Sequence, residues 1–170
     1  MQKHSQKIAA LSGAAGRAAV AALAAYTLGA APALATPGSG FTPSTISNGH
    51  YGALDVKSEK TDKWDILIKS KDDTDVAVDR LTVTAGGQSG WHVHPAPIFV
   101  TVISGEIQWF DGGLCTAKTY RAGDSFIEQA YRVHLVRNTT GATAEFTAVR
   151  LAPTGVQVRI DAPEPNNCNF

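Results

Sequence analysis

GGQSGWHVHPAPIFVTVISG, residues 86–105, is the stretch whose reading decides the fold. His92 and His94 stand two apart in it, within a run rich in β-formers. In a strand, residues i and i+2 point to one face, so the spacing predicts both imidazoles on the same side. Pro95 and Pro97 then interrupt pairing, as at a strand end or loop. Residues 98–103 resume as a second strand, and Ser104-Gly105 turns the chain. A second block, residues 123–138 (GDSFIEQAYRVHLVRN), carries His134 inside another strand-like run. The chain holds five histidines, and three of them fall in these two blocks, the others being His4 and His50. That concentration points to a site.

Outward from these blocks the β pattern continues. Residues 64–69 (WDILIK), 76–85 (VAVDRLTVTA), 107–110, 118–120, 125–127, 133–137, 145–151 and 156–160 (VQVRI) are short runs rich in Val, Ile, Thr and aromatics. Turn signals such as Lys71-Asp72-Asp73, Asp111-Gly112-Gly113, Ala122-Gly123-Asp124 and Pro153-Thr154-Gly155 separate them. Many short strands at this spacing predict an all-β sandwich or barrel, and no helical period competes. Residues 36–52, rich in Gly, Ser, Thr, Asn and Pro, read as an arm or linker, with His50 as a loop residue.

Residues 1–35 have the makings of an export leader. Lys3, Lys7 and Arg17 give a positive start, residues 18–34 are almost wholly Ala and Leu, and Ala33-Leu34-Ala35 is a cleavage signature. The expected division is a signal peptide at 1–35, an arm at 36–55, a barrel at 56–163 and a tail at 164–170. The full chain has 15 basic and 15 acidic residues. Without the leader's three basic residues the balance is −3, which offers no footprint for nucleic acid or an anionic membrane. After cleavage no second long apolar segment remains to span a membrane. The two cysteines, Cys115 and Cys168, read as one disulfide in a secreted chain. Such a bridge would tie the Pro- and Asn-rich tail to the body and contribute about 4 kcal/mol at most.

The two histidine blocks resemble the paired motifs of the cupin superfamily, small β-barrels of jelly-roll topology. The first motif runs G-x5-H-x-H-x3,4-E-x6-G, and Gly86, His92, His94 and Gly105 fall on it. The second runs G-x5-P-x-G-x2-H-x3-N, and Gly123, His134 and Asn138 fall on it. Where the family commonly places a metal-binding Glu, this chain has Ile98, or Phe99 at the longer spacing. Gln129 and Tyr131 replace the second motif's Pro and Gly. The resemblance thus implies a metal site of His92, His94 and His134, as in cupins similar to thiol dioxygenases and diketone-cleaving dioxygenases. Three neutral imidazoles suit one divalent transition metal (Fe, Zn, Mn, Cu or Ni) and leave positions open to water or substrate.

Glu128 shares strand parity with Phe126, which reads as core. A carboxylate there must be paired, neutral or metal-associated. It is a candidate catalytic base, metal ligand or partner to an imidazole N–H, unless local twist turns it to solvent. Ile98, Gln108, Phe126, Tyr131 and Arg132 are the other candidates for the substrate pocket, with Arg132 at His134's parity and suited to an anion. Trp91, opposite in parity to His92, is expected to pack outside the barrel. The Asn138-Thr139-Thr140 sequon overlaps the motif's Asn and reads as incidental.

Three functions fit these residues. One is a secreted, metal-dependent enzyme with dioxygenase-like activity on a small molecule; a second is a non-catalytic metal or small-molecule binding protein. The third is a metal-free barrel with a relic site, in which Ile98 marks the loss. A homodimer is compatible with each.

Overall fold

The computed structural model describes residues 37–165, so the leader and Cys168 lie outside the described residues. Within them there is no helix. Twelve strands follow in order: β1 (Ser39–Tyr51), β2 (Asp55–Lys57), β3 (Leu67–Lys69), β4 (Thr74–Gln88), β5 (His92–Val93) and β6 (Ile98–Ser104). Then come β7 (Glu106–Asp111), β8 (Thr116–Arg121), β9 (Ser125–Glu128), β10 (His134–Arg137), β11 (Ala144–Pro153) and β12 (Ile160–Asp161). Ten of them form one antiparallel sheet with the backbone order β12-β5-β10-β4-β11-β6-β9. β1 adds to β4, and β7 joins β10 to β8. The sheet curls into a nearly closed jelly-roll barrel, the all-β class expected.

Alternation of side chains explains which face closes inward. On β6, Ile98, Val100 and Val102 are buried while Phe99 and Ile103 are exposed. β11 matches this register: Phe146 pairs with Val102 and Ala148 with Val100. Across the other edge of β6, β9 sets Phe126 opposite Val100 and Glu128 opposite Ile98. The inner residues of these strands, with Val83, Ile107 and Val136, form the main core. Each fully buried aliphatic side chain of this kind contributes about 1.5–3 kcal/mol. Gly105 turns β6 into β7 at φ 73°, and a Cβ there would lie 2.9 Å from Ala144 Cα. Only glycine fits that turn without strain.

Several expectations change. Residues 39–51, read as arm or linker, form a strand paired with β4 from Ser39↔Gln88 to Tyr51↔Thr74. Its polar composition suits an edge, where Pro43 is tolerated. Meanwhile Phe41 packs against the core, 6.1 Å from the Phe146 ring. Residues 64–69 contribute only β3, which pairs with β2 in a separate two-stranded sheet, and Trp64 is exposed. Residues 156–160 supply strand only from Ile160, paired with Val93 of β5.

Trp91 is covered rather than open to solvent. It is 2% exposed and packs with Phe110, Leu135 and Val133 in a second cluster. Alternation does turn it away from His92, but that side of β5 is covered: a Cβ at Gly112 would lie 3.2 Å from the indole. Asn138 is fully buried. Its amide donates to Val83 O (2.9 Å) and Ala142 O (2.7 Å), and its oxygen accepts from Thr140 N and Oγ1. The sequon's amide is therefore spent inside the fold. Cys115 sits in the β7–β8 turn at φ 52°, and its expected partner is outside the described residues.

Candidate metal centre

Backbone register brings the three histidines together. His134 opens β10 and pairs with His92 on β5, and His94 follows two residues on. All three are buried, and their ligand nitrogens lie within 4.8 Å of one another. Each ring is fixed by a bond from Nδ1 to a backbone oxygen. His92 meets Gly90 O at 2.8 Å, His94 meets Val158 O at 2.7 Å and His134 meets Arg132 O at 2.8 Å. A carbonyl only accepts, so each Nδ1 carries the proton, and in the neutral ring Nε2 is left as a lone pair. Such bonds commonly orient metal-binding histidines.

A carboxylate stands on the neighbouring strand, across from Ile98. Glu128, directly across from Ile98, is 4% exposed and turned inward. Its Oε2 lies 3.3 Å from His94 Nε2 and its Oε1 3.2 Å from His134 Nε2. Of the roles left open for it, exposure to solvent is overturned. His134 Nε2 is nevertheless buried without a properly directed hydrogen-bond partner. Lone pairs of neutral imidazole and carboxylate face each other there, an arrangement that requires a proton or a cation between them.

The electrostatics agree. Burial, followed by the charges of His134, Arg159 and His94, pushes His92 down to about 2, so its ring stays neutral. Burial would raise Glu128, but His134 and His94 outweigh it and hold the carboxyl well below its ordinary range. Burial would lower His134, yet Glu128 outweighs that and raises it. Three buried imidazoles, with a carboxylate beside two of them, fit a divalent transition metal.

A cavity of about 290 Å³ adjoins this cluster. His92, His94 and Glu128 stand in its lining; Ile98, Val136 and Phe146 give it apolar walls. Asp79, Arg150 and Thr45 supply a further polar group, and Val158 and Arg159 also line it. Arg150 Nε reaches Asp79 Oδ2 at 2.6 Å, and Thr45 Oγ1 donates to Oδ1 at 2.7 Å, so that carboxylate is satisfied.

Of the five residues expected in the substrate pocket, Ile98 alone lines this cavity. Gln108 is half-buried on β7, opposite Thr119 and Arg137 on the flanking strands. Phe126 is in the core, its ring stacked on Tyr120 at 4.1 Å. Tyr131 is 68% exposed at φ 55°, and Arg132 pairs with Asp111. Burial would raise Asp111, but Arg132 and two backbone N–H groups hold it below its ordinary range, which uses up the arginine as an anion site. The sequence reading missed Asp79, Arg150 and Arg159. Asp79 shares inward parity with Ala77 and Val83, and Arg150 with Phe146 and Ala148, so charges on core parity were the available signal.

Comparison with known proteins bears on the fold. Residues 79–150 match the family model described as a cupin domain. The solved structure of a Klebsiella pneumoniae protein with a double-stranded β-helix domain is 24% identical, at TM-score 0.45, covering 65% of this chain and 84% of that one. A Cupin 2 conserved barrel domain protein from Salinispora arenicola is 22% identical at TM-score 0.42, covering 46% of this chain and 64% of the other. A recombinant oxalate oxidase in complex with glycolate is 20% identical at TM-score 0.44, covering 51% and 45%. No curated protein matches the sequence.

Proposed function

We propose that this chain is a cupin that holds one divalent metal ion on His92, His94, His134 and Glu128, beside a cavity for a small molecule. One observation carries the reading: Glu128 occupies the inward position across from Ile98, within 3.3 Å of two imidazoles whose Nε2 lone pairs converge. The bound ion would polarise an oxygen ligand or bound water. Residues of the chain do the rest. The three backbone carbonyls hold the rings in the ligating tautomer, and Glu128 cancels part of the ion's charge. Ile98 and Val136 keep that side of the cavity apolar.

Elemental analysis tests the metal. Mature protein should carry close to one equivalent, and His92→Ala/His94→Ala should carry none. Equal metal content in both would overturn the site. Dioxygenase-like turnover remains the proposed activity, against plain storage or sensing of a ligand. Oxygen uptake by the metal-loaded protein over a panel of small organic acids and phenols separates the two.

The export reading is likewise a proposal, supported by the leader sequence and the even count of two cysteines. Secreted protein should begin at Thr36. Its unreduced digest should contain a Cys115–Cys168 cross-linked pair, and two alkylated thiols would exclude the bridge.

A further inference from the structure

Arg159 is a partly exposed cation in the cavity's lining with one hydrogen-bonding edge left open. Its Nε donates to Asp161 Oδ1 at 2.9 Å and its Nη2 to Ser89 O at 2.7 Å. Those bonds pin one edge of the guanidinium. The adjacent edge, Nη1 with the second Nη2 hydrogen, has no hydrogen-bond partner among the described residues. The other cation in the lining differs: Arg150 is neutralised by Asp79, itself buried and doubly bonded. Arg159's own carboxylate partner, Asp161, is more than half exposed, so solvent weakens that pair. The charge of Arg159 also reaches the histidine cluster, where it disfavours protonation of both His92 and His134.

The rest of the cavity limits what fits. Its apolar walls include Ile98, Val136, Phe146 and Val158, and the volume of about 290 Å³ is at the lower end for small-molecule pockets. A guanidinium edge with two parallel N–H groups matches a carboxylate bidentately.

We propose that Arg159 determines ligand class: the cavity takes a small organic carboxylate whose anionic end is held by the Arg159 guanidinium and whose apolar body lies along Ile98, Val136 and Phe146. This deepens the proposed function and rests on it for the position of the ligand beside the metal. Residue 159 lies beyond the segment matching the cupin domain, residues 79–150, so the assignment comes from this chain's own C-terminal segment.

The test uses hexanoate and the neutral hexanamide as probes, by isothermal titration on the full mature chain, both loaded with Zn(II) and stripped of metal. A charge-assisted bidentate contact should favour acid over amide by about tenfold or more. Arg159→Met should abolish that preference while leaving amide affinity unchanged and Zn(II) still bound. Arg159→Lys, keeping the charge but not the fork, should fall between. Melting curves with and without Zn(II) check that each variant folds.

Equal binding of acid and amide by the wild type overturns the proposal, as does failure of hexanoate to bind at millimolar concentration. A preference that survives Arg159→Met but vanishes on stripping the metal also overturns it, because the carboxylate then sits on the ion. Absence of Zn(II) uptake would sink the metal reading alone. The Arg159 comparison in metal-free protein then still decides the carboxylate.

Discussion

Two buried carboxylates face the same cavity and behave as opposites. Asp79 has a fixed donor on each oxygen, Thr45 on one and Arg150 on the other. Glu128 has two imidazole nitrogens that supply no fixed proton, and one of them lacks a directed partner. Asp79 is thus closed by residues that cannot change their charge. Glu128 faces residues that can, and an arginine's permanence against a histidine's lability marks which pair serves the fold and which the chemistry.

The largest effect should come from Asp79→Ala. Arg150 cannot shed its proton, so its charge would be left inside the barrel, and stability should drop by about 3 kcal/mol. Metal uptake should be unaffected. Chemical denaturation and metal analysis on one preparation check both, and a mild loss of stability would erase the contrast.

Glu128→Gln should do the reverse. His134 can simply become neutral, so metal-free stability should move by about 1 kcal/mol or less. Affinity for a divalent ion should fall by about 100-fold or more. The cross-strand register sharpens this further. In the double variant Ile98→Glu/Glu128→Gln the carboxylate moves one strand over, from β9 to β6, and should restore much of the lost affinity. Ile98→Glu by itself sets two carboxylates face to face and should destabilise the metal-free protein, with Mn(II) rescuing it.

pH separates the pairs again. His92 is pushed down to about 2 when folded, from an ordinary 6.5. Below pH 6.5 the unfolded chain therefore binds a proton that the folded chain refuses, and stability falls steadily toward acid. His134 is raised, so its pairing with Glu128 is fully present below pH 6.5 and is lost as pH rises through its folded value. That alkaline loss should vanish in Glu128→Gln and persist in Asp79→Ala. A metal competes with the same His134 proton, so uptake should strengthen with rising pH and release protons, which titration in two buffers measures. The smallest effect belongs to Tyr131→Ala: the exposed phenol should change metal content not at all and stability by about 0.5 kcal/mol or less.

Strand alternation on Ile98, Val100 and Val102, with punctuation by Gly105 and Gly123, was enough to read the barrel. The three histidines were legible because their spacing is local to two short blocks. Glu128 could be placed on the inner face by parity, but its role depended on a cross-strand register with Ile98 that no single stretch encodes. Tyr131 and Arg132 do not line this cavity: the chain between β9 and β10 is not strand, so parity counted from His134 has no meaning for Arg132. β1 was hidden by composition: an edge strand needs few apolar residues, and Ser, Thr and Gly read as linker. Arg159 was passed over because residues 156–159 belong to no strand and bend at Val158, and their approach to the histidines is a matter of tertiary path.

That path has a consequence in time. His94 is steadied by Val158 O, and Val158 leaves the ribosome 64 residues later. Every group that donates to the centre is synthesised before the carbonyl that orients one of them. The nascent chain therefore carries its histidines with one ring lacking this restraint until Val158 has emerged. Metal captured earlier meets a looser set, and a chain cut after Gly155 should remain in that immature condition: able to gather an ion, but exchanging it readily with chelators that the full-length protein resists.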